Sequence, residues 1–232
     1  MTFEEVMQQL ELLSNERVKK RYVSQGAQEP LFGVATGTMK PMYKAIKINQ
    51  PLAEQLYGTG NYDAMYFAGM IADPNAMTAA DYDRWMQAAY FPMLSDYVVA
   101  VTLSESDIAM SVADDWLTSD LELYRSAAWS CYQWLLGWRP DDYFDVEKVG
   151  SLLHMAATSA ATETPHLQTV ISNFIAAVGV SYIPLHEEAL AVAGSISDLG
   201  DEGSCAFPNA LAAIEKAREK GRIGFKRRAV RC

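Results

Sequence analysis

The chain has 232 residues, half of them apolar, and a formal net charge of −10 at neutral pH. This length suits one large domain, predicted over residues 1–232, with a substantial buried core. No apolar run of about 18 residues is available to span a bilayer, and the N-terminus lacks a basic leader with an apolar core. We therefore expect a cytoplasmic protein without membrane contact. The three cysteines and three histidines are scattered, which predicts neither a disulfide framework nor a metal or cofactor site.

Basic residues concentrate at the C-terminus. Residues 216–232 carry eight Lys and Arg against one acid, a net charge of +7, which leaves −17 for the rest of the chain. A body this acidic repels a polyanion unless its few basic groups converge on one face. This basic tail is either a solubilising, frayed helix end or a nucleic-acid contact in which Lys226, Arg227 and Arg228 meet phosphates.

Helical periodicity runs through almost the whole chain, and no segment alternates clearly enough to predict a strand. Residues that cap helices precede the apolar repeats at Thr2, Asn15, Asn61, Thr78 and Asp145. After the first two helices, which begin at the first two caps, further helices are predicted at about 39–48, 51–57, 62–71, 79–90, 96–103, 106–117, 119–136, 145–156, 164–178, 184–197 and 207–220.

A dozen helices of about 10 to 18 residues, joined by short loops, predict an all-α architecture. Their rough period of 35 to 45 residues favours antiparallel pairs stacked into a curved solenoid over one closed bundle. A solenoid of helix pairs presents a concave surface that suits a long, rod-shaped partner.

All five tryptophans lie between Trp85 and Trp138. Trp116, Trp129 and Trp134 recur at the spacing of a buried helix face, which predicts packing in the core. Trp85 and Trp138 stand nearer the ends of their elements, where they are available to line a groove.

The same stretch contains the polar residues most suggestive of a site. Asp96 follows the pair Tyr90 and Phe91, and its position before an apolar repeat also fits a helix N-cap. Arg125 interrupts an otherwise apolar helix. It is interpreted either as a phosphate ligand or as the structural partner of an acid such as Asp96 or Asp115.

Several longer segments resemble a known family. The stretch E-P-L-F-G-V-A-T-G-T-M-K-P-M-Y-K-A-I-K, followed by L-A-E-Q-L-Y-G-T-G-N-Y-D-A-M-Y-F-A-G-M-I-A-D, resembles the opening of the DNA alkylation repair family, the HEAT-like repeat alkylpurine DNA glycosylases. The similarity continues through D-R-W-M-Q-A-A-Y-F-P-M-L-S-D-Y, W-L-T-S-D-L-E-L-Y-R-S-A-A-W and I-S-N-F-I-A-A-V-G-V-S-Y. The ending G-R-I-G-F-K-R-R-A-V-R-C looks like that of a short, acidic branch.

The resemblance implies a fold of HEAT-like repeats and a glycosylase that releases N3- or N7-alkylated purines from double-stranded DNA. Such a reaction builds positive charge on the sugar, which a nearby carboxylate stabilises. Asp96 matches the acid of the family's Trp-x-x-x-Asp motif and is the implied catalytic residue. Arg125 matches the family arginine, and Tyr90 and Phe91 would add aromatic contacts to the nucleic acid.

Two positions depart from the family pattern. Pro92 stands where the motif has its tryptophan, and a second active-site tryptophan falls at about Ala177. Glycosylase activity is therefore one hypothesis beside two others. One is a non-catalytic relative that recognises the shape of DNA, and the other is a repeat scaffold that binds a protein partner.

Overall fold

The computed structural model describes residues 1–197 and 209–231, and every regular element in these ranges is helical. A π-helical turn, Ser95–Val99, joins the seventh and eighth helices. The α-helices are α1 (Phe3–Leu12), α2 (Glu16–Ser24), α3 (Lys40–Ile46), α4 (Gln50–Tyr57), α5 (Tyr62–Ile71), α6 (Ala79–Ala88), α7 (Pro92–Leu94), α8 (Ala100–Ser104), α9 (Ala109–Leu117), α10 (Glu122–Trp138), α11 (Val146–Ser159), α12 (Pro165–Ser181), α13 (His186–Ser197) and α14 (Ala210–Glu219).

The predicted caps are confirmed. Thr2 and Thr78 form complete capping boxes with the acids three residues later. The side chains of Asn15, Asn61 and Asp145 each accept hydrogen bonds from two amides of the first turn that follows. Local rules therefore placed most helix starts correctly, because a cap satisfies backbone donors that lack a partner within the helix.

Some predicted boundaries are wrong. The helix expected at 96 begins at Pro92, whose fixed φ suits a first turn, so Asp96 is not an N-cap. The helix expected at 106 begins at Ala109. In the last predicted helix, residues 207 and 208 lie outside the described residues, and α14 begins after the cap Asn209.

The chain divides into two compact units, and the prediction of one domain over residues 1–232 stays a prediction. Unit 1 comprises residues 1–112 together with Arg231, and unit 2 comprises residues 113–230. In unit 1, α5 is buried on nearly all sides and packs against α1, α3 and α4. In unit 2, α12 takes the same central place and contacts α10, α11, α13 and α14.

The buried carboxylate of Asp63 organises the irregular segment before α3. Its oxygens accept hydrogen bonds from the amides of Phe32 (2.6 Å), Gly33 (2.9 Å) and Val34 (2.8 Å). Gly33 adopts a φ of 81°, and a Cβ there would meet the backbone of Lys19 at 2.6 Å. The E-P-L-F-G-V motif is therefore a structural signature, since one acid and one glycine fix its path.

Three further expectations concern sites and the membrane. Among residues 1–197 and 209–231, no group of three His, Cys, Asp or Glu side chains is placed to hold a metal ion. Cys131 is buried as a free thiol, and burial raises its pKa; Cys205 and Cys232 lie outside the described residues. Over the same ranges no single helix is long and apolar enough to cross a membrane, although the pair Pro165–Ser181 and Ile183–Ile196, bent by 108°, qualifies by length and composition.

Candidate nucleic-acid interface

A groove of about 460 Å³ opens in unit 2 between α10, α12, α14 and the chain that follows α14. Part of its lining consists of glycine and short apolar side chains, namely Gly137, Ala176, Ala177, Val180, Ala213 and Ala217. We call this depression the basic groove, because of the side chains that surround it.

Four cations line the basic groove: Lys216, Lys220, Arg222 and Arg227. None of its lining residues is acidic. Within the described part of the chain, none of the four cations has an acidic oxygen within 4.0 Å. Converging, unneutralised positive charge raises the local concentration of an anionic ligand.

Two aromatic side chains also line the basic groove. The guanidinium carbon of Arg227 lies 5.0 Å from the centroid of the Trp134 ring, a cation–π contact. Phe225 is 58% exposed, which is unusual for a phenylalanine. The groove thus combines positive charge with two aromatic rings, of which that of Phe225 is exposed.

Backbone hydrogen bonds hold the tail against unit 2. Gly221, with a φ of 61°, follows the end of α14. Beyond it, the amide of Gly224 donates to the carbonyl of Val180 at 2.8 Å, and that of Arg227 donates to Gly137 at 2.7 Å. This corrects the interpretation of the tail as a frayed end, since its backbone is bonded to α10 and α12 at these two residues.

Two tail cations serve the fold itself. The ammonium of Lys226 donates to the carbonyl of Leu136 at 2.9 Å and lies 2.8 Å from Oδ1 of Asp141. Arg231, in unit 1, pairs with Glu105 at 2.7 Å and also donates to two backbone carbonyls of α5 and its C-cap. These contacts favour a structural role for Lys226 over the predicted phosphate contact. Arg228 is exposed and stays a predicted DNA ligand.

Asp96 occupies the second position of the π-helical turn in unit 1. It is 2% exposed and accepts a hydrogen bond from the hydroxyl of Ser95 at 2.8 Å. The neighbouring Tyr97 is 47% exposed, and partial burial raises its pKa. π-Helical turns occur frequently at functional sites, but the carboxylate of this one is closed off from solvent.

Comparison with known proteins places this geometry in context. A sequence profile of the family described as DNA alkylation repair enzyme matches residues 6–207. The chain belongs to the DNA alkylation repair family. The resemblance seen in the sequence is confirmed.

Three similar proteins match all or nearly all of the chain. A solved structure, described as "a new family of proteins related to the HEAT-like repeat DNA glycosylases with affinity for branched DNA structures", is 53% identical, covers 100% of both chains and has a TM-score of 0.92. An uncharacterized protein of Listeria monocytogenes is 27% identical over 230 residues, and one of Listeria innocua is 26% identical; each match covers 95% of this chain and 99% of the relative. The predicted all-α fold of HEAT-like repeats is therefore confirmed.

Arg125, the position that matches the arginine of the DNA alkylation repair family, is held by neighbours in unit 2. Its guanidinium pairs with Glu163 at 3.2 Å and donates to the carbonyl of Ser119 at 2.9 Å, with 24% of the side chain exposed. The structural alternative thus has an acidic partner, but this is Glu163 rather than Asp96 or Asp115. A contact between Arg125 and phosphate stays a prediction.

The aromatic pair before Asp96 belongs to the packing of unit 1. Phe91 is 5% exposed and lies 5.4 Å from the ring of Tyr62 and 5.0 Å from that of Tyr90. The hydroxyl of Tyr90 donates to the carbonyl of Gln28 at 3.3 Å and accepts from its amide at 3.1 Å. Burial raises the pKa of Tyr90. The ring of Phe91 is thus buried by its neighbours, and contact of Phe91 or Tyr90 with DNA stays a prediction.

The division of the tryptophans into core residues and groove residues differs in part from the prediction. Trp116 and Trp129 are buried, as expected, at 4% and 3% exposure. Trp85 is not at a groove: it is 1% exposed and stacks on Tyr57 with ring centroids 3.9 Å apart. Trp134, predicted to lie in the core, instead lines the basic groove.

Sequence reasoning missed most of the groove. Charge density alone marked the tail, but it did not separate Lys216, Lys220 and Arg222 from the other basic residues. Phe225 could have been predicted as part of the site from the sequence, because an aromatic residue between basic residues is typical of nucleic-acid surfaces. Ala177, the position at which the resemblance puts a second tryptophan, has a small side chain that lines the groove.

Proposed function

We propose that this member of the DNA alkylation repair family binds branched DNA without releasing a base, through the basic groove of unit 2. The observation that carries the proposal is the convergence of Lys216, Lys220, Arg222 and Arg227 around one depression that has no acidic lining residue. The relative that is 53% identical over the whole chain, described as having affinity for branched DNA structures, supports this choice of ligand.

Charge complementarity gives the physical basis. Backbones of several strands converge at a branch point, so phosphates lie closer together there than along one duplex. Each lysine or arginine that neutralises a phosphate releases condensed counterions, which favours binding at low salt. A compact group of cations therefore gains more from a branch point than from a straight duplex.

The proposal assigns no glycosylase step to Asp96. Direct stabilisation of a sugar cation requires the carboxylate to approach that sugar. At 2% exposure, with the Ser95 hydroxyl as a partner, the carboxylate is enclosed by its own helix and neighbours. Base release would need this turn to open, whereas binding at the groove needs no such rearrangement.

A binding experiment tests the proposal. Fluorescence anisotropy with a three-way junction, a four-way junction and a duplex of the same arm sequence, over a series of salt concentrations, should show tighter binding to both junctions. Removing four phosphate contacts in the variant K216A/K220A/R222A/R227A should lower the slope of log K against log salt by roughly 3 to 4. The junction preference should disappear with it.

The chain offers a matched control for one of these cations. Arg218 lies in α14, is exposed and does not line the basic groove, so Arg218→Ala should weaken junction binding less than Arg222→Ala. Equal junction affinity in the native protein and the quadruple variant, with both folded by circular dichroism, would contradict the proposal. Absence of DNA binding, together with capture of a basic protein, would favour the scaffold hypothesis instead.

A further inference from the structure

The lining of the basic groove contains more than phosphate binding requires. Cations alone suffice to hold a duplex backbone, yet this groove also displays Trp134 and Phe225. The amide side chains of Gln133 and Asn173 line it as well. Amides both donate and accept hydrogen bonds, as the edges of nucleobases do. Rings, amides and cations together match the three parts of a nucleotide.

The ring faces discriminate between paired and unpaired DNA. Bases within a duplex are stacked on one another, so their faces are not accessible to a side chain. An unpaired base offers a free face, and aromatic side chains in a positively charged groove are the usual means of binding single strands. A duplex arm would therefore offer no base face to the exposed ring of Phe225 or to the ring of Trp134, on which Arg227 would remain.

The size of the groove agrees with a small occupant. Its volume of about 460 Å³ lies within the roughly 300 to 1,000 Å³ typical of pockets for small ligands. Alanines and Trp134 together supply apolar lining. This space accommodates one nucleotide. The flanking cations remain available to the phosphates on either side of that nucleotide.

We infer that the basic groove receives an unpaired nucleotide at the branch point, an inference that rests on the proposed function. The base stacks on Trp134 and displaces the guanidinium of Arg227, which turns to the adjacent phosphate. Gln133 and Asn173 contact the edge of the base, and Lys216, Lys220 and Arg222 hold the backbone. The protein thus recognises the branch point by an unpaired base as well as by the high density of phosphates there.

Three junctions with identical arms test this inference. One is fully paired at the branch, the second carries two unpaired thymidines there, and the third replaces those thymines by abasic sites. The native protein should bind the thymidine junction roughly 5- to 100-fold more tightly than the other two, as base stacking on one aromatic ring allows. The abasic junction keeps the phosphates and the flexibility, so it isolates the contribution of the base.

Variants of one helix complete the test. Trp134→Ala should abolish the preference for the thymidine junction, and Trp134→Phe should retain most of it because a ring remains. Trp138→Ala, on the same helix but outside the groove lining, should leave the preference intact. Thermal unfolding followed by circular dichroism checks that each variant is folded.

The outcomes separate the two proposals. If the native protein binds all three junctions equally, while K216A/K220A/R222A/R227A loses all of them, branched-DNA binding stands and the nucleotide site is wrong. Equal affinity for the thymidine and abasic junctions would also overturn the nucleotide site. If no junction binds better than a duplex, the proposed function itself fails.

Discussion

Unit 1 and unit 2 use charged side chains in opposite ways. In unit 1, Asp63 and Asp96 lie inside the protein, at 0% and 2% exposure, and accept hydrogen bonds from neighbouring groups. In unit 2, Arg222 and Arg227 line a groove and have no acidic partner among the described residues. The two buried acids serve internal contacts, whereas the exposed cations remain available to a ligand.

This difference bears on how the family resemblance is used. Asp96 matches the catalytic acid of the family, yet its surroundings give it the partners of a structural residue. The basic groove is lined by Ala177, where the resemblance puts a second tryptophan, and by a different ring, Trp134. The proposed function therefore assigns a structural role to the residue that matches the family's acid and a binding role to residues that match no family site.

The largest expected effect is on the buried acid that holds the segment before α3. Asp63→Asn turns an acceptor of three amides into a group that presents its own donors to them. We expect the free energy of unfolding to fall by about 3 kcal/mol, because each lost bond to a charged group is worth about 1.5 to 3 kcal/mol and such losses are not additive. Urea unfolding measures the change.

Asp120→Asn is the control for that measurement. Asp120 is exposed, so its substitution should change the free energy of unfolding by less than about 0.5 kcal/mol. Equal effects at the two positions would mean that the hydrogen bonds of Asp63 contribute little, and the contrast between buried acids and exposed cations would lose its basis.

Asp96→Asn should lower the free energy of unfolding by about 1 to 3 kcal/mol, the cost of weakening a buried, charge-assisted hydrogen bond. Junction affinity of the folded variant should equal that of the native protein. With duplex DNA containing N7-methylguanine, release of free base should stay at background for both proteins. Release by the native protein that Asp96→Asn removes would instead make Asp96 catalytic and would break the comparison.

Lys226→Met tests whether a tail cation serves the fold. The substitution keeps an unbranched apolar stem but removes the ammonium that contacts Leu136 and Asp141. We expect a loss of about 1 to 2 kcal/mol in the free energy of unfolding, since the hydrogen bond to Leu136 is charge-assisted and the ion pair with Asp141 is only partly buried. Arg228→Met, at an exposed neighbouring position, should have almost no effect on stability.

Junction binding by the same variants completes that test. Lys226→Met should bind a three-way junction as the native protein does, while Arg222→Ala should bind it more weakly. A loss of affinity in Lys226→Met with unchanged stability would identify Lys226 as a phosphate ligand after all.

The sequence predicted the helices well because their signals are local. A cap such as Asn61 and the helix that follows it are contiguous in the chain, so the hydrogen bonds of the first turn can be anticipated. The start at Pro92 was missed because Asp96 also fits the capping pattern. Its burial is set by the packing of unit 1 around the π-helical turn, which no local pattern records.

The site was less predictable because its contacts are distant in sequence. Helical spacing groups Trp134 with buried residues of α10. It does not show that this tryptophan and the small residues of α12 line a groove together. Charge density likewise marked the whole tail. Only the fold shows that Arg231 pairs with Glu105, 126 residues away, while Arg222 has no such partner among the described residues.

The smallest predicted effect concerns an exposed cation of unit 1. Lys47 ends α3 with a φ of 61° and a ψ of −144°, a conformation that strains a residue with a side chain. Lys47→Gly should raise the free energy of unfolding by about 0.5 to 1 kcal/mol, because relief of strain exceeds the greater entropy of glycine in the unfolded chain. Lys47→Ala keeps the Cβ and should give no gain.

Binding by Lys47→Gly also tests the contrast between the two units. We expect its junction affinity to match that of the native protein, since the cations of the basic groove lie in unit 2. If Lys47→Gly weakened junction binding as much as Arg222→Ala does, unit 1 would contribute its own phosphate contacts. Exposed charge would then serve DNA binding in both units, and only the buried acids would distinguish them.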